Sequence, residues 1–441
     1  MNENYTHTTS GGMKRFKRPA RLILQLTALA ITLAGTINAH ATDGYFSNGY
    51  GIKAKGRAGV SVTASDDAFG GANNPATIAW AADRVDGGLD WFRPTRYSSR
   101  SGAAGLSSAL NGSVTSDKEN FIIPELALKY ALNSDLAVGV SVYGNGGMNT
   151  DYSERTLDFG PGGNKNLLAG SGRLGVDFSQ LFVAPTIAYK ITPTQSIGLA
   201  PLIGYQWFKA SGLDAFGFKS QDVASLTDKG YDYAFGAGVR VGYLWNITPE
   251  FSAGAAYSSP VFMQRFNKYR GLFAEDGSFD TPQSVTAGLG WQASSALRVG
   301  IDYKWIDFSG IASVGNPSSN IGKLGQADGP GFGWRSISAI KLGADWKVLD
   351  GLTLRGGYSY NENPVTSSDV TFNILAPGVI QHHLTAGASY AFGRQEISAA
   401  YMHGFLNSVS GESQLAPPGS GITETISMYQ DSFGLQYSFK F

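Results

Sequence analysis

Near the end of the chain, Tyr429, Phe433, Leu435, Tyr437, Phe439 and Phe441 fall on one phase of a two-residue repeat. Gln430, Ser432, Gly434, Gln436, Ser438 and Lys440 fall on the other. Side chains along a β-strand point alternately to opposite faces, so one face of this strand is apolar and the other polar. The same repeat returns upstream, where Tyr233, Phe235, Val239, Val241, Tyr243 and Trp245 oppose Gly236, Gly238, Arg240 and Gly242. Likewise Leu297, Val299, Ile301, Tyr303 and Trp305 oppose Arg298, Gly300, Asp302 and Lys304. The charges at Arg240, Arg298, Asp302, Lys304, Lys341 and Arg355 all take the polar phase. A charge facing lipid at the bilayer midplane costs about 2 to 4 kcal/mol, which points these side chains to a wet interior.

A β-sandwich face carries a similar alternation, but the connections favour a barrel. Short turns at 133–135, 192–194, 248–250, 293–295, 349–351 and 393–394 alternate with long polar or Gly-rich stretches at 98–119, 150–178, 211–230, 268–279, 310–333, 363–378 and 410–425. Short turns on one side and long loops on the other are the asymmetry of a transmembrane β-barrel, here with about fourteen antiparallel strands. An aromatic precedes each short turn, namely Tyr130, Tyr189, Trp245, Trp291, Trp346 and Phe392. Amphipathic rings favour the headgroup level, so these mark one membrane boundary. The final Phe441 resembles the terminal aromatic of outer-membrane barrels, which implies the barrel-insertion machinery as a partner.

At the other end, Lys14-Arg15-Phe16-Lys17-Arg18, the apolar run from Leu22 to Ile37 and Ala39-His40-Ala41 predict a cleavable secretory signal over 1–41, with Met13 an alternative start. The leader holds five of the 34 basic and one of the 34 acidic residues, so the remainder carries a net charge of −4. That balance gives no reason to expect nucleic acid as a partner. There is no Cys, which suits passage through an oxidising compartment. After the leader no apolar segment is long enough for a spanning helix.

Between leader and strands lies a stretch with neither a two-residue nor a 3.6-residue period, from Thr42 to Trp80. It contains Gly56-Arg57-Ala58-Gly59, Asp66-Asp67-Ala68 and Asn74-Pro75-Ala76. Compact irregular backbone of this kind needs surrounding groups to satisfy it, as a plug in a barrel lumen would have. The order of these motifs, above all Asp66-Asp67-Ala68 and Asn74-Pro75-Ala76, resembles the N-terminal hatch of the FadL/TodX family, outer-membrane channels for fatty acids and other hydrophobic compounds. The resemblance implies a hatch over 42–82, a barrel over 83–441, and passive uptake of hydrophobic molecules by a monomer in the bacterial outer membrane. A general diffusion porin and a surface adhesin or structural barrel are the competing readings.

Within the third strand, Leu136, Val138, Val140 and Val142 keep period until Gly144-Asn145-Gly146-Gly147 breaks it. Glycine inside a strand marks a bulge or kink, unless Asn145 already begins the outer loop. The family resemblance implies an inward kink that opens a hole in the wall. For the ligand, Leu157, Phe159, Leu167, Leu168 and Leu174 of the second long loop, facing Phe216, Phe218 and Leu226 of the third, are expected to form a greasy outer groove. The lumenal Arg240, Arg298, Lys304, Lys341 and Arg355 either bind a ligand carboxylate or, for Arg298 and Lys304, pair with Asp302. Catalysis is not expected. After the leader the only histidines are His382, His383 and His403, and there is neither a nucleophile motif nor metal-ligand spacing, so no cofactor or metal is assigned. The Asp66-Asp67 pair lacks the rest of a calcium cage and is expected to hydrogen-bond within the hatch.

Overall fold

The computed structural model describes residues 43–160 and 163–441, so the expected signal segment lies outside the described residues. Fourteen long strands carry the fold: β1 (Arg84–Ser101), β2 (Phe121–Ala131), β3 (Leu136–Tyr152), β4 (Leu174–Thr192), β5 (Gln195–Ser211), β6 (Asp232–Asn246), β7 (Phe251–Ser258), β8 (Ser284–Gln292), β9 (Leu297–Ile306), β10 (Ile337–Leu349), β11 (Leu352–Asn361), β12 (His382–Phe392), β13 (Gln395–Glu412) and β14 (Thr423–Lys440). Each pairs antiparallel with the next, and β14 returns to β1 along their whole length, from Arg84↔Lys440 to Ser101↔Thr423. The ring is therefore closed. Closure gives every strand a neighbour on both sides and so removes the open sheet edges whose unpaired backbone groups cost several kcal/mol in lipid. No helix among the described residues is long and apolar enough to cross a membrane.

The two phases read from the sequence are the two faces of the wall. Phe433, Leu435 and Tyr437 stand exposed on the outside of β14, while Gln430, Ser432, Gln436 and Ser438 are buried within. The turn aromatics Tyr189, Trp245, Trp291, Trp346 and Phe392 likewise face outward, and Tyr130 stacks on Phe441 with ring centroids 6.4 Å apart. On the turn side Gly351 and Gly393 have φ of 83° and 62°, the left-handed backbone that tight hairpin turns require.

Residues 43–82 run through the interior. They form one short helix, α1 (Ile52–Gly56), and two 3-10 turns, Phe69–Gly71 and Pro75–Ala79. Tyr45, Ile52, Val62, Phe69 and Ile78 of this segment are all buried. The wall makes room for it with glycines that face each other across neighbouring strands. Gly198↔Gly242 admits Asn74-Pro75, Gly254↔Gly288 admits Val62, and Gly343↔Gly357 admits Arg57-Ala58. A Cβ at any of these positions would run into the inner segment.

Candidate functional site

Three cations of α1 and the residue after it meet carboxylates of the wall. Lys53 pairs with Glu396, Lys55 with Asp90 at 2.9 Å and Glu125 at 3.4 Å, and Arg57 with Asp345 at 3.1 Å. Arg57 also holds Asp66 at 3.0 Å, and Arg355 reaches Asp345 at 2.7 Å and Asp66 at 3.6 Å. Burial works against the Asp66 carboxylate, yet Arg57, Lys53 and Arg355 hold it well below the usual range. Its neighbour Asp67 accepts the Phe69 N–H at 2.9 Å and lacks such a partner. Burial, then repulsion from Asp66 and Asp86, pushes Asp67 up to about 7.

The other lumenal cations also engage the inner segment. Arg298 donates to the Thr63 carbonyl at 2.6 Å, and Lys304 and Lys341 meet Asp43 at 3.1 and 2.7 Å. Arg240 donates to the Gly71 carbonyl at 2.8 Å and to the Ala72 carbonyl. The alternative pairing of Arg298 and Lys304 with Asp302 is not observed. Asp302 instead accepts the Ser61 and Val62 N–H groups at 2.7 and 3.0 Å, because the inner segment brings two backbone donors to it.

Asn74 caps the turn that Pro75 begins, its Oδ1 accepting the Ala76 N–H at 3.1 Å. Its Nδ2 donates to the Val62 carbonyl at 2.7 Å and to the Tyr243 carbonyl of β6 at 3.0 Å. One side chain thus ties the corner to itself, to the rest of the inner segment and to the wall. Pro75 fits the first turn position because its fixed φ is already suitable and no donor is lost there.

The wall is interrupted beside β3. β2 and β3 pair only from Ala131↔Ala137 to Leu126↔Val142. Beyond that point Phe121–Glu125 pair with β1 alone and Tyr143–Tyr152 with β4 alone. The alternative in which Asn145 begins the outer loop is incorrect, since β3 continues to Tyr152. Its ladder to β4 shifts between Gly144↔Leu181 and Gly146↔Gln180, leaving Asn145 as the extra residue of a bulge. The freed edge is covered from inside: Ser47 N–H donates to the Asn145 carbonyl at 3.1 Å and Gly147 N–H to the Tyr45 carbonyl at 3.0 Å. Tyr50 adds a 2.7 Å bond to Asn145 Oδ1, which fixes the bulge side chain. At the top the wall closes again where Asp117 N–H donates to the Asp151 carbonyl at 2.8 Å. The stretch without β2–β3 pairing, called the window below, runs from Leu126 and Val142 to Asp117 and Asp151 and is filled by the inner segment.

Under the outer loops lies an apolar cavity. Of the residues expected from sequence, Leu168, Phe216 and Leu226 line it. Leu157, Leu167 and Leu174 are buried in the surrounding core without lining the cavity. Phe159 and Phe218 are not brought to it, and Phe218 is 78% exposed. Sequence reasoning missed Phe208, Phe273, Leu324, Phe332 and Phe372, which come from other strands and loops. Buried rings continue inward from the cavity: Phe273 to Phe279 at 4.8 Å, Phe279 to Tyr45 at 6.2 Å and Tyr45 to Trp334 at 5.8 Å. Trp334 in turn lines a second cavity together with Phe92, Arg96, Met148 and Met428.

Among the described residues no histidine completes a nucleophilic or metal site. His383 is fully buried beside Ser359 and Gln430, His403 bonds Asp431 at 2.9 Å on the outer face, and no cluster of metal-ligating side chains occurs among the described residues.

The profile of a family described as Outer membrane protein transport protein (OMPP1/FadL/TodX) matches residues 33–441. No curated protein matches the sequence. Among solved structures the chain is similar to the toluene transporter TodX of P. putida, at 17% identity and a TM-score of 0.66 over 89% of this chain and 99% of that one. A Pseudomonas aeruginosa FadL homologue aligns at 16% identity and TM-score 0.65 over 90% and 100% of the two chains. The Ralstonia pickettii toluene transporter TbuX aligns at 18% and 0.60 over 89% and 99%. At such identities these likenesses speak for the barrel fold.

Proposed function

Because the chain belongs to the OMPP1/FadL/TodX family of outer-membrane transport proteins, we propose that it takes up hydrophobic molecules passively, capturing them beneath the outer loops and releasing them sideways through the window beside β3. Long-chain fatty acids and aromatic hydrocarbons are the substrate classes in view. Two of the solved relatives are described as toluene transporters. The observation that supports this reading is that β2 and β3 stop pairing beyond Leu126↔Val142 while β3 continues to Tyr152. A solute insoluble in water gains nothing from an aqueous exit, whereas a wall opening in the outer half of the barrel leads into hydrocarbon. A general diffusion porin would need an open aqueous path, and here residues 43–82 occupy the interior.

In this reading residues 42–82 are a movable hatch, preceded by a signal segment at 1–41 that is removed on export. Tyr45 is its gate. The ring lies between Phe279 on the capture side and Trp334 on the window side, and its carbonyl holds Gly147 of β3. Ligand arriving from the capture cavity displaces the Tyr45–Ser47 strip, which frees both the passage and the β3 edge. Lys53, Lys55 and Arg57 keep the lower part of the segment in place meanwhile.

Deleting Asn145 tests the lateral route. It removes the bulge residue yet preserves every other pairing between β3 and β4, because Gly144↔Leu181 and Gly146↔Gln180 become consecutive. Asn145→Ala, which keeps the bulge and loses only the side-chain bonds, is the control. Deletion should leave a folded, ligand-binding barrel whose uptake falls well below that of the Asn145→Ala protein. Equal uptake by both, with a regular β3 confirmed structurally, would rule the lateral route out.

A further inference from the structure

The two cavities differ in one respect that bears on ligand class. The capture cavity is lined by apolar side chains and Ser313, with no charge. The window cavity contains Arg96, which is 4% exposed. Its Nη2 donates to Ser116 Oγ at 3.2 Å and its guanidinium lies 5.7 Å from the ring centroid of Phe121, the residue at the free end of β2. Its Nε has no hydrogen-bond partner. The nearby Glu119 is taken by Arg93 at 3.5 Å, and Arg96 has no ion pair among the described residues. A buried guanidinium without a counter-charge is expensive, and every other buried arginine of the lumen described above engages the inner segment. A second polar atom in the same cavity is also unpaired. Asn149 Oδ1 has no donor, while its Nδ2 is fixed by the Phe178 carbonyl at 3.0 Å.

Resting on the reading of the window as the exit, we propose that Arg96 is a specificity-determining residue that binds the carboxyl group of an amphiphilic acid, with Phe92, Met148, Trp334 and Met428 around its apolar body. Arg96 supplies the charge that a carboxylate lacks in hydrocarbon, through a charge-assisted hydrogen bond from the free Nε. Asn149 Oδ1 offers an acceptor for the acid when it carries its proton. A plain hydrocarbon satisfies neither group. Capture is therefore indifferent to the head group, and discrimination between acids and neutral compounds falls at the window.

The test uses the full-length protein in lipid nanodiscs and equilibrium dialysis with decanoate and with methyl decanoate, which have the same chain but differ in charge. Arg96→Met should lower the decanoate-to-ester affinity ratio about 10- to 100-fold, the worth of one hydrogen bond to a charged group. Arg96→Lys should retain most of the ratio, since the charge stays. An unchanged ratio in Arg96→Met overturns the proposal, and so does parallel loss of both ligands, which would make Arg96 a structural residue. Uptake of methyl decanoate by the unaltered protein separates the two readings: if the ester is transported while the ratio is insensitive to Arg96, the channel stands and the acid site falls.

Discussion

Asn74-Pro75 sits in a notch made by Gly198 of β5 and Gly242 of β6, which are direct partners across the two strands. Gly242→Ala would place a Cβ against Asn74 Oδ1, and Gly198→Ala would place one against the backbone of Pro75 and Ala76. In the first case the amide must leave, forfeiting its bonds to Ala76, Val62 and Tyr243 at 3.1, 2.7 and 3.0 Å. At about 0.5 to 1.5 kcal/mol each, the seat loses about 1.5 to 4.5 kcal/mol. In the second case backbone meets Cβ and cannot rotate away, an overpacking cost of about 1 to 3 kcal/mol. The strands themselves lose nothing, because alanine is at least as good as glycine in a strand. The damage should therefore be local. The chain contains no Cys, so an Ala79→Cys reporter at the end of the same turn reads opening of the segment by maleimide labelling. Each 1.4 kcal/mol is tenfold in the open population, so Gly242→Ala should speed labelling by about 10- to 1,000-fold and Gly198→Ala by about 5- to 100-fold, while the barrel keeps its heat-modifiable mobility on gels. Unchanged labelling in both variants would refute the idea that this notch seats the corner.

Other perturbations probe the remaining parts. Asn74→Ala with Pro75→Ala should reduce hydrophobic uptake without affecting membrane insertion, checked by transport and fractionation side by side. Polar replacement of two capture residues, Leu168→Gln with Phe216→Gln, should weaken uptake from dilute ligand and leave it nearly normal at saturation, which initial rates across concentration will show. Asp67 makes seating of the segment pH-dependent. Its carboxyl is held at about 7 against an ordinary value of 3.8, among Asp66, Asp86, Lys53, Arg57 and Arg84. The raised value means its contribution is fully present below about pH 4 and is lost as pH rises through about 7. Protease nicking within 43–82 should be faster at pH 8 than at pH 5, and Asp67→Asn should flatten that difference. A profile that survives in Asp67→Asn would assign the effect elsewhere.

The wall was legible in the sequence because lipid and lumen impose opposite chemistry on alternate residues, and every extra methylene on the wrong face costs energy. The strand count, the turns and the inward placement of Arg240, Arg298, Lys304, Lys341 and Arg355 all follow from that period. What those cations touch was not legible, since Asp43, Thr63 and the Gly71 carbonyl lie far from them in sequence. The glycines hid a related fact: within β5, β6, β10 and β11 they read as weak strand residues, but facing pairs such as Gly343↔Gly357 exist to let Arg57-Ala58 approach. At Gly146 a Cβ would run into the Tyr45 carbonyl, so the glycine serves the covering strip as well as the bulge. The capture cavity was only partly foreseen. Hydrophobic loop residues give no sign of which of them face inward, and Phe208, Phe273 and Phe332 converge only through the closed barrel.

Photolabelling with a diazirine-bearing alkane tests the path most directly. Added from outside and flashed at increasing times, the probe should mark Leu168 and Phe216 first, then Tyr45 and the residues bordering the window, Ile123 and Met148, and at no time the turn-side end of the inner segment at Ile78 and Trp80. Early or dominant labelling of Ile78 and Trp80, with Ile123 and Met148 unmarked, would mean that ligand passes straight through the lumen and would contradict lateral release.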